Sequence, residues 1–435
     1  MTNGNQHIPS GYKPSPLGII PEDWEVKRLG EVCTFLSTNT LSRNQLNDTN
    51  GEVRNIHYGD VLIKYPSIID VRKQSIPFVN QEDYKESMND FIEDGDVVLA
   101  DTAEDETVGK ACEIANVGSE KILSGLHTML IRPQKGLFSP WFLGYQVNSV
   151  SYRKQLNALI QGIKVCSLGK QAIANTYFAI PPFHEQQSIV SVLSLWDTAI
   201  AKQTALIEQL TLRKRGLMQQ LLTGKKRLKG FGGEWKDVRL GEIGTAYGGL
   251  VNKNKEDFEN GNALFITYMN VFSNGKIDIN NLGQVRILPS EKQEQVQYGD
   301  IFFTVSSETP EEVGMASVLL NEVQNTYLNS FCFGYRLNDF KSIIPAYASY
   351  LFRGDDFRKK MYKIAQGSTR FNISKTEVLN MRITIPSIEE QNTIASVLVD
   401  VDKEIEIQKQ KLAAMQEQKK GLMQVLLTGK KRINK

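Results

Sequence analysis

The chain repeats itself, and that repeat limits its possible folds more than any other feature. Ile180-Pro181-Pro182-Phe183-His184-Glu185-Gln186-Gln187 returns as Ile385-Pro386-Ser387-Ile388-Glu389-Glu390-Gln391-Asn392. Gly216-Leu217-Met218-Gln219-Gln220-Leu221-Leu222-Thr223-Gly224-Lys225-Lys226-Arg227 returns as Gly421-Leu422-Met423-Gln424-Val425-Leu426-Leu427-Thr428-Gly429-Lys430-Lys431-Arg432. Ile180 and Ile385, like Arg227 and Arg432, lie 205 positions apart, so the copies align without a gap. The stretch from Pro21 through Trp24 and Leu29-Gly30-Glu31 also recurs, as Gly232 through Trp235 and Leu240-Gly241-Glu242. The duplication therefore covers whole halves, and a repeat on this scale sets the architecture before any finer reading.

Between the repeated ends, inward positions step alternately by four and three. Copy one reads Ile189, Leu193, Trp196, Ile200, Gln203, Ile207, Leu210, Lys214, Leu217, Leu221. Copy two reads Ile394, Leu398, Val401, Ile405, Gln408, Leu412, Met415, Lys419, Leu422, Leu426. This is a coiled-coil seam, and its polar members fix register at some cost in stability. At about 1.5 Å per residue each helix spans roughly 60 Å. The alternative is that each helix covers only the core of its own domain, but such helices average about 11–12 residues. Leu195, Ala199, Leu206, Met218 and Leu222, with Met423 and Leu427, widen the apolar stripe. That second stripe faces either another protein or the neighbouring globule.

At 435 residues the chain has room for about three domains. A net charge of +2 announces no global polycation, although a local basic surface still binds DNA. Cys33, Cys112, Cys166 and Cys332 are scattered and read as free thiols of a reducing cytosol. No apolar run approaches a membrane span, so a soluble cytoplasmic chain is expected, with no membrane partner.

From Val32 to about Phe183 the signals are short β-type runs broken by turns, such as Asp94-Gly95-Asp96 before Val97-Val98-Leu99-Ala100. Tyr298-Gly299-Asp300 before Ile301-Phe302-Phe303-Thr304 matches it in the second half. Each half has a Gly-containing loop further on, Gln161–Ser167 and Gln366–Asn372. The expectation is an α+β fold: two mixed globules separated by a pair of long antiparallel coiled-coil helices, with a pseudo-twofold internal repeat. The expected divisions are 1–183 (first globular domain, with residues 1–20 a loose arm), 184–230 (central helix and link), 231–388 (second domain) and 389–435 (C-terminal helix). Short joints would bring helix two back toward globule one and land Lys435 near Trp24.

No enzymatic constellation survives inspection. Ile180-Pro181-Pro182-Phe183 lacks the Asn or Asp that opens an amino-methyltransferase motif, and reads better as a proline stop before a helix. Thr223-Gly224-Lys225-Lys226 follows a helix and lacks the upstream glycine of a P-loop. His7, His57, His127 and His184 have no metal-ligand spacing. A non-catalytic chain with no cofactor or metal of its own is expected.

Two unlike globules on a repeated rod suit a ligand with dyads, and double-stranded DNA is one. Lys110, Lys164, Lys170, Lys276, Arg370 and Lys375 are candidate phosphate contacts, while Tyr268, Asn270, Ser306 and Ser307 are candidate base readers. For any single one of these the ordinary reading, a solvated loop residue, comes first; the set marks a region more than it fixes identities.

Taken together, the Pro-x-x-Trp…Leu-Gly-Glu segments, the Ile-Pro…Glu-Gln helix starts and the Gly-Leu-Met-Gln…Leu-Leu-Thr-Gly-Lys ends resemble the specificity subunit of type I restriction–modification systems, over nearly the whole chain. The resemblance implies two target recognition domains, each reading one part of a split DNA sequence. It implies that the helix pair sets the gap and docks two copies of a methyltransferase (modification) subunit. S-adenosylmethionine, ATP and Mg would belong to partner subunits, a restriction/translocase subunit among them. A scaffold that joins two proteins without reading DNA is the alternative, and sequence-dependent DNA binding separates the two. A stand-alone nuclease or methyltransferase would need turnover by the chain alone.

Overall fold

Both repeated segments form unbroken helices of 39 residues, Phe183–Leu221 and Ile388–Leu426. The computed structural model describes residues 8–85, 87–88 and 90–433. Prolines end the preceding strands (Pro181-Pro182 and Pro386), where a missing N–H does no harm. Gly224 and Gly429 close the helices, both at φ +69°, and the amides of Lys226 and Lys431 reach back to the carbonyls of Gln220 and Val425. These are left-handed C-caps, for which glycine carries no Cβ penalty.

The chain divides into two compact units, residues 1–203 with 411–435, and residues 204–410. Each unit thus combines one globule with helical segments from both repeats.

In the first unit a five-stranded sheet runs in the order Cys33–Leu36, Thr128–Pro133, Val97–Ala100, Ala111–Ala115, Ile68–Asp70. A four-stranded sheet runs Lys121–Ser124, Val53–Ile56, Phe78–Val79, Leu46–Asn47, its first pair parallel. Val97–Ala100 is buried throughout, as a central strand covered on both faces should be. In the second unit the sheets are Gly244–Gly248, Cys332–Leu337, Ile301–Thr304, Ala316–Val318 and Gly283–Val285, Ala263–Ile266, Thr326–Leu328. The pairing of Ala263–Ile266 with Thr326–Leu328 is again parallel. A two-stranded ribbon ties the start of each globule to its exit: Glu25–Arg28 with Tyr177–Ile180, and Lys236–Arg239 with Arg382–Ile385.

Within the first unit, Ile189 and Leu193 of the first helix pack with Leu426 of the second around Trp24 and Tyr145. Asp197, further along the first helix, meets Lys419, which precedes Leu426. Within the second unit Leu210 packs on Val401 and Ile405, Lys214 meets Asp402, and Leu221 shares a core with Ile394 and Leu398. As one helix advances its neighbour recedes, so the pairing is antiparallel in each unit. Trp196, Ile200, Ile207, Leu217, Gln408, Leu412, Met415 and Leu422 are half-buried and Gln203 is buried, while the positions between them are largely exposed. The wider stripe divides. Leu222 and Leu427 enter the cores of their units, whereas Leu195 and Leu206 remain exposed.

The arm differs from expectation. Tyr12–Ser15 and Gly18–Pro21 form an antiparallel hairpin, Ile20 is buried, and the Tyr12 hydroxyl donates to the Gly429 carbonyl at 3.0 Å. Its glycine and prolines read as looseness, but they build the turn. Lys435 lies outside the described residues. Among those residues no helix is long and apolar enough to cross a membrane.

Candidate nucleic-acid interface

In each unit the Gly-containing loop folds as a short hairpin. Gln161 and Ser167 exchange both backbone hydrogen bonds (3.0 and 2.8 Å), and so do Gln366 and Asn372 (2.9 and 2.8 Å). Gly162 and Gly367 have φ of +95° and +129°, and a Cβ on either would lie 2.0–2.1 Å from the carbonyl oxygen of Val165 or Arg370. Only glycine fits these turns. Cys166 and Phe371 anchor the hairpins on their cores, leaving residues 163–165 and 368–370 projecting.

Each hairpin pairs with the turn after a central strand: Thr102↔Ser167 and Ala103↔Cys166 in one, Ser306↔Asn372 and Ser307↔Phe371 in the other. The residue before each paired segment donates in the same way in both units, Asp101 N to the His127 carbonyl and Val305 N to the Phe331 carbonyl. A short helix completes the face. Tyr58 of helix Tyr58–Ile63 meets His127 edge-on at 5.3 Å, and Thr102 Oγ1 lies 3.4 Å from His127 Nδ1. Tyr268 of helix Tyr268–Ser273 donates to the Ser306 carbonyl at 3.0 Å and stacks on Phe272. His127, with φ +55°, is a left-handed non-glycine residue at the centre of the first face. Such backbone strain concentrates at functional sites. The side chains exposed there are mixed: Lys164 and Lys170 beside Ile163 and the acidic run Glu104-Asp105-Glu106, and Arg370 and Lys375 beside Phe331, Met269 and Glu308.

The positions of the sequence candidates divide sharply. Lys164, Lys170, Arg370 and Lys375 are exposed, and Lys170 lies over the Phe35 ring. Arg370 Nε donates to Ser306 Oγ at 3.3 Å. Ser306 and Ser307 are buried in the strand beneath the hairpin. Of the other four, Tyr268 is half-buried against Ser306, and three are used internally. Lys110 Nζ donates to the Leu62 carbonyl at 2.9 Å. Asn270 is 1% exposed and donates to the carbonyls of Asp278 and Asn281, which pins the loop after its helix. Lys276 donates to the Tyr350 hydroxyl and to Asp402, within the second long helix. Tyr58, Thr102, Ile163, Met269 and Phe331 were not singled out from the sequence, and His127 was considered only as a metal ligand. One signal was present: Ile56-His57-Tyr58-Gly59-Asp60-Val61 and Ile266-Thr267-Tyr268-Met269-Asn270-Val271 share Ile-x-Tyr-x-Asp/Asn-Val.

The model for the type I restriction modification DNA specificity domain matches twice, over residues 21–212 and 232–417. The chain belongs to that family. It is a specificity subunit of a type I restriction–modification system, carrying two DNA specificity domains. It is 26% identical over 443 aligned residues to the putative type I restriction enzyme MjaX specificity subunit of Methanocaldococcus jannaschii, covering 97% of each chain. It is 25% identical to the type I restriction enzyme MjaVIII specificity subunit of the same organism, over 95% of this chain and 94% of that one. Its fold is shared with a chain solved in work on complex assembly and conformational transition of the type I R-M system (TM-score 0.60, 19% identity, 94% of this chain and 99% of that one).

The long helices meet the specificity domains through residues that the duplication repeats. In the first unit Asp197 accepts from Tyr145 Oη at 2.6 Å and from Lys419 Nζ at 2.5 Å. In the second, Asp402 accepts from Tyr350 Oη at 2.6 Å and pairs with Lys214 at 2.6 Å and Lys276 at 3.3 Å. Burial pushes the Asp402 carboxyl up, but the lysine and tyrosine donors outweigh it and hold the group below its usual range. Lys214 and Lys419, read in the sequence as polar seam members that fix register, are therefore also the bolts between helix and domain. A second node joins the Trp-containing segments to the helix ends. Glu185 accepts from Trp24 Nε1 at 2.9 Å and from Arg432 at 2.6 Å, and Arg432 also holds Asp23. Arg227 forks onto Glu390 at 2.6 and 2.7 Å beside Trp235.

Proposed function

We propose that each unit of this specificity subunit reads one half of a bipartite, asymmetric DNA target, and that the helix pair sets the gap between the halves. The observation that carries this reading is the contrast between frame and face. The central strands, bolts and hairpin closures recur in both units, while residues 163–165 and 368–370, at the exposed tips, share no residue type. A scaffold without a reading role would have no use for that divergence.

The helices dock two copies of a methyltransferase subunit, for which Leu195 and Leu206 in one helix and Ile407 in the other supply exposed apolar contacts. Methylation with S-adenosylmethionine, and ATP- and Mg-dependent translocation and cleavage, are carried by the partner subunits in the cytoplasm. Lys164, Lys170, Arg370 and Lys375 hold phosphate or base edges, and their phosphate share makes binding weaken as salt rises.

Selection of bound duplexes from a random library by the assembly of this chain with its methyltransferase tests the reading. Two short fixed blocks separated by a fixed gap are expected; enrichment of no sequence leaves only the scaffold. Inserting four residues after Leu206 and after Lys411, its repeat equivalent, lengthens each helix by about 6 Å and should widen the selected gap by one or two base pairs.

A further inference from the structure

We infer that the two hairpin tips are the base-selecting points of this chain, with Ile163 selecting thymine through its C5 methyl group and Arg370 selecting guanine. This rests on the DNA-reading function proposed above.

The two loops are the same object built twice. Both are closed by the same reciprocal hydrogen bonds, both need glycine at the turn, and both are anchored inward at the same place, by Cys166 or Phe371. Such a loop is a stiff platform, so its projecting side chains are presented at little entropic cost. What it presents differs. In the first unit the tip is Ile163-Lys164-Val165, with Ile163 99% and Val165 54% exposed. In the second it is Ser368-Thr369-Arg370, all exposed. An isoleucine held wholly in water at a rigid tip contributes nothing to its own core. In the major groove the thymine methyl is the apolar group a side chain can meet, and Ala, Thr and Phe contacts of this kind discriminate thymine from other bases. The guanidinium of Arg370 is held on one side by Ser306. It has the fork that matches guanine O6 and N7.

The surrounding charge favours the groove over the backbone. The strand that pairs with the first hairpin continues directly into Glu104-Asp105-Glu106, and the one that pairs with the second into Glu308. Carboxylates beside the tip repel phosphate and accept from the cytosine amino group. Lys170 and Lys375, equivalent first residues of the next short helices, remain as phosphate contacts at the edge.

The test uses the full chain in its methyltransferase assembly, with random duplex DNA as the probe, for wild type, I163S and R370Q. Both substitutions fall on exposed side chains, and thermal melting verifies that folding is kept. Wild type should select a T·A pair in one half and a G·C pair in the other. I163S should lose about tenfold in the first preference alone, and R370Q about tenfold in the second alone. Replacing the selected thymidine by deoxyuridine, which removes only the methyl, should weaken wild-type binding about fivefold and leave I163S unchanged. Unaltered selection by both variants, or equal binding of the thymidine and deoxyuridine duplexes, overturns this inference while the bipartite reading stands. Selection of no sequence by the wild type overturns both.

Discussion

In the first unit Arg132 clasps Asp96 and reaches Glu93 and the Phe91 carbonyl; in the second Arg336 clasps Asp300 and reaches Glu294 and the Gln295 carbonyl. Arg153 and Arg358 likewise donate to the equivalent carbonyls of Val108 and Val313. Yet Glu113 on strand Ala111–Ala115 of the first unit corresponds to Val318 on strand Ala316–Val318 of the second. Glu113 is buried and accepts from the amides of Trp141 (2.5 Å) and Gly144 (2.7 Å) at the start of helix Phe142–Val147. Both units carry a proline here, Pro140 and Pro345, but the second unit already starts its helix at Pro345 and has a valine where the carboxylate would be. Polar clasps that hold strands and loops in place are duplicated faithfully; a helix start can be solved either way. The frame constrains chemistry only where several elements converge on one group.

The sharpest way to probe this comparison is at the paired tryptophans. Trp24 is fully buried with its indole N–H on Glu185, whereas Trp235 is half-buried and its Nε1 has no hydrogen-bond partner among the described residues. Trp24→Ala should destabilise the first unit by about 3–5 kcal/mol, and Trp235→Ala should cost the second clearly less. Hydrogen exchange resolved along the chain measures each unit separately; equal losses would mean that the two nodes are energetically alike.

Next in size is a pH effect confined to the first unit. Burial pushes the Glu113 carboxyl up from 4.5 to about 7, against the opposing pull of the backbone donors. The folded form then keeps its proton where the unfolded form has released it. Stability is therefore greatest below about pH 4.5 for this group and falls as pH rises toward 7, by up to about 3 kcal/mol. Thermal melting of wild type against Glu113→Gln from pH 5 to 8 should find that slope diminished in the variant. Identical slopes would remove Glu113 as its source.

The smallest effect is expected at the bolts. Lys419→Ala leaves Asp197 with its Tyr145 bond, while Lys214→Ala leaves Asp402 with both Tyr350 and Lys276. The first should cost about 1 kcal/mol and the second less, as half-exposed ion pairs do. A larger loss for Lys214→Ala would contradict that ordering.

The long helices were legible because a seam sustained over 39 residues admits few alternatives, and the duplicated motifs gave the family. The interior of each globule was not. Parallel pairing of Val53–Ile56 with Lys121–Ser124 joins segments far apart in sequence, which local periodicity does not encode. Lys276 and Asn270 read as surface groups because nothing near them in sequence reveals Asp402 or the carbonyl of Asn281. Ile163 was passed over for the opposite reason: an apolar residue suggests burial, and its exposure follows only from the closed hairpin around it.

The most direct test of separate reading is to exchange residues 32–175, a span that includes the hairpin tip at 163–165, for the corresponding domain of another family member and sequence the methylome of a host carrying the chimera. The account predicts that one half of the methylated target changes while the other half and the gap stay as they were. A change in both halves would contradict it.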